Sequence, residues 1–111
     1  MTRKTVTRLC SAMPHATQDN TFGPDHDNWK IGGKLFAIHG PTGVSVKTDS
    51  VETARMLIDA GAATRAPYCH ASWVNVPNDA PEDELAHRIG ASYSLVRASL
   101  TRKARDALGT G

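Results

Sequence analysis

Apolar residues recur at helical spacing in some stretches of the chain and alternate two by two in others. Val6, Leu9, Cys10 and Met13 share one side of a helix predicted over Thr2 to Met13, with Arg3, Lys4 and Arg8 on the other. Pro14 ends it, because the residue before a proline avoids the helical region. From Asp19 to Asp27 the pattern turns polar around Gly23-Pro24-Asp25, which predicts an exposed loop.

The strongest β signal follows. Trp29-Lys30-Ile31 and Lys34-Leu35-Phe36-Ala37-Ile38 flank Gly32-Gly33, a two-residue hairpin turn in which glycine accepts positive φ. A regular hairpin sets Ile31 opposite Lys34 and Trp29 opposite Phe36, so Trp29, Ile31, Phe36 and Ile38 are expected on one face. Gly40-Pro41-Thr42-Gly43 is a second turn, and Val44-Ser45-Val46-Lys47 alternates cleanly after it. A four-residue loop there puts Val44 and Val46 on the face away from Phe36. A loop one residue shorter or longer puts them on the same face, and the sequence leaves both registers open.

Asp49-Ser50-Val51-Glu52 reads as a helix start, with Asp49 and Glu52 placed for a capping box. Val51, Ala54, Leu57 and Ile58 form its stripe, and Gly61 suits its C-terminal stop. Trp73-Val74-Asn75-Val76 alternates as another strand. A long helix then opens on Glu82-Asp83-Glu84, where the helix dipole favours acids, with Leu85, Ile89, Tyr93, Val96 and Leu100 as its buried stripe. Helix, hairpin strands, helix, strand, helix is the order of an α+β fold with an antiparallel sheet and helices packed on one face.

At 111 residues the chain has room for one domain, spanning 1–111. Its 40% hydrophobic and 22% charged content excludes a repeat array, and no apolar run approaches the length of a membrane span. Cys10 and Cys69 are far apart and are expected as free thiols. With no apolar run after the basic first residues, the chain reads as cytoplasmic.

The net charge of +2 is unevenly spread: residues 1–18 carry +3, 19–29 carry −3, 30–47 carry +3 and 88–105 carry +5. One account is that the terminal helices have solvated basic faces. The other is a basic patch built from Lys30, Lys34 and Lys47 with Arg65 nearby, as phosphate binding requires. Asp25-His26-Asp27 and Cys69-His70 lack the ligand spacing that closes on a metal ion, and no metal or cofactor is expected. Gly40-Pro41-Thr42-Gly43 precedes Lys47 without the glycine and helix start of a phosphate loop. No Gly-x-Ser-x-Gly elbow is present, and no acid–base or nucleophile set marks an enzyme.

Met13-Pro14-His15-Ala16-Thr17, Phe22-Gly23, the run Trp29 to Ala37, Val44-Ser45-Val46-Lys47, Ala66-Pro67-Tyr68, Trp73-Val74-Asn75-Val76 and Ser92-Tyr93-Ser94-Leu95-Val96 occur in this order. As an ordered set, extending from Leu9 through Leu108, they resemble the MmcQ/YjbR family. The resemblance implies a single domain similar to the bacterial frataxin (CyaY-like) fold. It also implies the family's usual description, a DNA-binding protein using a pair of β-hairpin wings. Lys30, Lys34 and Lys47 match the basic positions, and Trp73 matches an aromatic strand position that could equally be core. The iron binding of frataxins is not expected, because the segment Thr2 to Met13 has three basic residues and no acidic one.

The expected function is therefore that of a small non-enzymatic domain contacting the backbone of double-stranded DNA with low sequence selectivity, through Lys30, Lys34, Lys47, Arg65 and Trp73. The alternative is a protein-interaction module that binds a partner chain through its exposed sheet face or an edge strand.

Overall fold

The computed structural model describes residues 3–67 and 69–107. The predicted helix start at Thr2, and Tyr68 and Leu108 of the resemblance, lie outside them. The elements in chain order are α1 (Arg3–Ser11), β1 (Thr17–Asp19), β2 (Asp27–Ile31), β3 (Lys34–Gly40), β4 (Gly43–Lys47), α2 (Val51–Asp59), β5 (Thr64–Arg65), β6 (Trp73–Pro77), α3 (Glu82–Ser99) and α4 (Arg102–Ala107). The fold is α+β: the six strands form one antiparallel sheet in the order β1-β2-β3-β4-β6-β5, with helices packed against it. Among the described residues no helix is long and apolar enough to cross a membrane.

The β2–β3 hairpin departs from the regular register. Ile31 does face Lys34, across a turn where Gly32 and Gly33 both have positive φ. Trp29, however, pairs with Ala37 rather than Phe36, because the ladder shifts between Trp29 and Lys30. Phe36 is the extra residue of a bulge, and a bulge moves every later side chain to the other face. Trp29, Ile31, Phe36 and Ala37 are consequently buried in the core, whereas Ile38, expected beside them, lies half-buried on the opposite face. The Gly40↔Gly43 pair closes the next turn over Pro41 and Thr42 alone, which sets Val44 and Val46 across from His39 and Ala37 and buries both.

The core lies between this sheet face and the helices. Phe36 meets Tyr93 of α3 edge-on, with ring centroids 5.4 Å apart, and Leu85, Ile89, Val96 and Leu100 continue the predicted stripe. Each such side chain contributes about 1.5–3 kcal/mol on burial. Val6 and Cys10 bring α1 into the same cluster, and Ala54 and Leu57 bring α2. Both cysteines are free thiols, and burial pushes that of Cys10 up to about 12.

Two local expectations are corrected. The cap of α2 is Ser50, whose hydroxyl accepts the Thr53 N–H at 3.1 Å, so the register of the helix start excludes an Asp49–Glu52 box. Gly61 (φ 77°) does stop that helix, with its N–H donated to Ile58 O. The polar stretch from Asp19 to Asp27 is not wholly exposed: Asp27 is buried and starts β2, and Asp19 ends β1. Asp27 can be buried because the Arg3 guanidinium grips it at 2.7 and 2.8 Å while Asn20 and Gln18 donate to it as well. These donors, Arg3 above all, hold the Asp27 carboxyl below the usual carboxylate range.

Candidate nucleic-acid interface

Antiparallel pairing fixes which residues meet at each end of the sheet. β2 ends and β3 begins at Gly32-Gly33; β4 ends at Lys47, directly across from Trp73 at the start of β6; β5 ends at Arg65, across from Val74. Lys30, Lys34, Lys47, Arg65 and Trp73, one on each of β2 to β6, therefore all fall toward one end of the sheet. The β2–β3 turn lies there, and the connection of β5 to β6 starts there, with β4 and Lys47 between them; Pro67 and Cys69 of that connection lie back over the outer sheet face, where they share a cleft with Gly40 and Pro41. The Pro41–Thr42 turn of the β3–β4 hairpin lies at the opposite end and cannot pair with the β2–β3 turn as a second projection.

The lysines are not equivalent. Lys34 is exposed beside the turn. Lys30 shares a face with Leu35 and is ion-paired to Asp19 at 2.9 Å. Asp19 also accepts from Asn28 and Thr21, and these donors with Lys30 hold its carboxyl far below the usual range. Lys47 and the half-buried Trp73 line a shallow depression with His70, Ser72 and the start of α2. The connection beneath it is tied down: Thr48 donates its N–H and its hydroxyl to Ser72 O, and the Ser72 N–H is donated to His70 Nδ1. An accepting Nδ1 leaves Nε2 to carry the proton of the neutral ring.

Sequence reading missed the contribution of the last helices. α3 starts at the far end of the sheet with Glu82, Asp83 and Glu84 and finishes against the Gly32 turn, where a β-carbon on Gly32 would meet Leu100 at 2.7 Å. Arg97 in its last turn, and Arg102, Lys103 and Arg105 of α4, join the same end as the strand lysines. Their signal in the sequence was the +5 of residues 88–105. Asp27 and Glu82 lie at the opposite end, paired with Arg3 and Arg8, while Asp49 stands beside Lys47 and Asp106 within α4.

The sheet face turned away from the helices carries a cleft of about 540 Å³. Leu35 and Ile38 form its apolar floor, Phe22 and Pro67 stand at its sides, and Ser45 and Asn75 sit within it, linked by an Asn75 Nδ2 to Ser45 Oγ bond of 3.1 Å. Cys69 and His26 also line it; the His26 ring packs on Gly40, which has no room for a side chain there. No sequence signal marked this cleft, since Ile38 faces it only because of the bulge at Phe36.

The described residues contain no group of three or more His, Cys, Asp or Glu side chains placed to hold a metal ion. The crystal structure of the Deinococcus radiodurans protein DR2400, a DUF419 domain, superposes with a TM-score of 0.82 at 23% identity, covering 96% of this chain and 86% of that one. It is alike in fold. No curated protein matches the chain. The YjbR family model matches residues 11–95, which take in the hairpin, the central strands, α2 and most of α3. With the sheet order, the bulged hairpin and the ordered motifs from Met13 through Leu95 falling inside that match, the chain belongs to the YjbR family.

Proposed function

We propose that this protein is a non-enzymatic binding domain that contacts double-stranded DNA through phosphates at the basic end of its sheet. One observation carries the reading: Lys34 beside the Gly32–Gly33 turn, Lys47 at the end of β4 and the cations of the last turn of α3 and of α4 fall at the same end of the sheet. Backbone contacts of this kind position a protein without reading bases, hence the low selectivity. A net charge of only +2 keeps the binding weak and local.

The strongest internal hydroxyl contact and the deeper thiol speak for a binder over an enzyme. Ser92 is committed to two backbone groups, and Cys10 is buried with its thiol pushed up to about 12. Capture of a partner by strand addition has little template, since the edge strands β1 and β5 are three and two residues long.

Fluorescence anisotropy with a short DNA duplex at about 50 and 200 mM salt tests the reading. Affinity should fall with salt, and Lys34→Ala and Lys47→Ala should each lower the salt slope by about one. Absence of binding at the lower salt would end it.

A further inference from the structure

The sheet-face cleft has a chemistry of its own. Its size is that of a small-ligand site. Ser45 and Asn75 are both more than nine-tenths buried at 6% exposure, yet they line the cleft. Their mutual bond uses one of two amide hydrogens on Asn75 and one lone pair of the Ser45 hydroxyl, so a donor and an acceptor remain on the pair. Phe22 is one of the exposed large apolar side chains, at 59%, and it stands at the lip rather than over solvent alone.

Each feature narrows the occupant. An aliphatic ligand would match Leu35 and Ile38 but leave the Ser45–Asn75 pair unanswered, at a desolvation cost. A charged ligand would find no lysine, arginine or carboxylate in the lining. A flat, neutral ring with a hydrogen-bonding edge satisfies floor, lip and polar pair together. Lys34, which precedes Leu35, pairs with the core residue Ile31 and so points to the opposite sheet face; the cation on the cleft's own face is Lys30, directly across from Leu35 and ion-paired to Asp19.

We propose that this cleft holds one unpaired nucleobase, stacked on Phe22 above Leu35 and Ile38 and read at its edge by Asn75 and Ser45. The inference rests on the nucleic-acid reading above and adds a preference for single-stranded over paired substrate. Stacking of this kind tolerates any base, because every base offers a ring face.

The test compares a ten-nucleotide oligothymidylate with a ten-unit abasic strand of the same charge, by anisotropy at about 50 mM salt. The oligothymidylate should bind about tenfold more tightly, a gap on the scale of one stacked base. Phe22→Ala should close most of that gap and Phe22→Trp should keep it, while Lys34→Ala weakens both strands alike. Phe22 is exposed, so its variants should retain the parent urea midpoint. Equal affinity for the two strands would overturn the cleft assignment and leave the phosphate reading intact. A gap that survives Phe22→Ala would also overturn it, by placing the base elsewhere. Failure to bind either strand, together with failure on the duplex, would remove both readings.

Discussion

The Ser92 hydroxyl donates to Phe36 O at 2.6 Å and, on the same oxygen, accepts the Lys47 N–H at 2.9 Å. Ala37 and Val46 are the last direct pair of β3 and β4 at this end, so Phe36 and Lys47 would form the next rung. A side chain from α3 occupies that rung instead. The bulge that turns Phe36 into the core also leaves its carbonyl without a strand partner, and the helix supplies one.

Ser92→Ala should therefore cost about 2–4 kcal/mol, because two buried backbone groups lose their partner together. Urea denaturation should show a lower midpoint with an unchanged slope. A loss below about 1 kcal/mol would mean that the strands close the rung themselves.

Gly32 and Gly33 separate conformational cost from packing. Both have positive φ, at 58° and 82°, but a β-carbon at Gly33 meets nothing within 4 Å while one at Gly32 runs into Leu100. Gly33→Ala should lose about 1 kcal/mol from backbone strain alone. Gly32→Ala should lose more, and Gly32→Ala combined with Leu100→Ala should be less than additive in the same denaturation assay.

Stability should fall in acid through Asp27. Its folded-state pKa lies below its ordinary value, so its contribution is fully present above the usual carboxylate range, about pH 4, and is lost as pH falls through the lower folded value. Urea midpoints at pH 7, 5 and 3 should show Asp27→Asn well below the parent at neutral pH. The two should converge at the acid end.

The thiols should differ in reactivity. Cys10 is wholly buried and Cys69 is half-buried, with burial raising both. A disulfide reagent should modify one thiol quickly in the native protein and the second only on unfolding.

The helical stripe of α3 was legible because Leu85, Ile89, Tyr93, Val96 and Leu100 fit one helical face and no strand. The bulge was not, because Leu35-Phe36-Ala37-Ile38 is apolar at every position and fits either strand parity. β5 has two residues, too few to carry a period. Two consecutive hairpins already bring Lys30, Lys34 and Lys47 to one end, but the addition of Arg65 and Trp73 depends on β6 lying between β4 and β5, a long-range pairing that no local pattern encodes. Asp27 reads as a loop acid until Arg3, twenty-four positions earlier, is seen to hold it.

The separation of charge along α3 and α4 has a kinetic consequence. With Glu82, Asp83 and Glu84 at its start and Arg97 followed by Arg102, Lys103 and Arg105 at its end, the α3–α4 segment carries a charge gradient along its length. In the field of a polyanion such a body turns before it touches, presenting the Gly32–Gly33 hairpin and withdrawing Glu82, Asp83 and Glu84. Encounters then arrive pre-aligned, and the rate of capture, more than the lifetime of the complex, should respond to ionic strength.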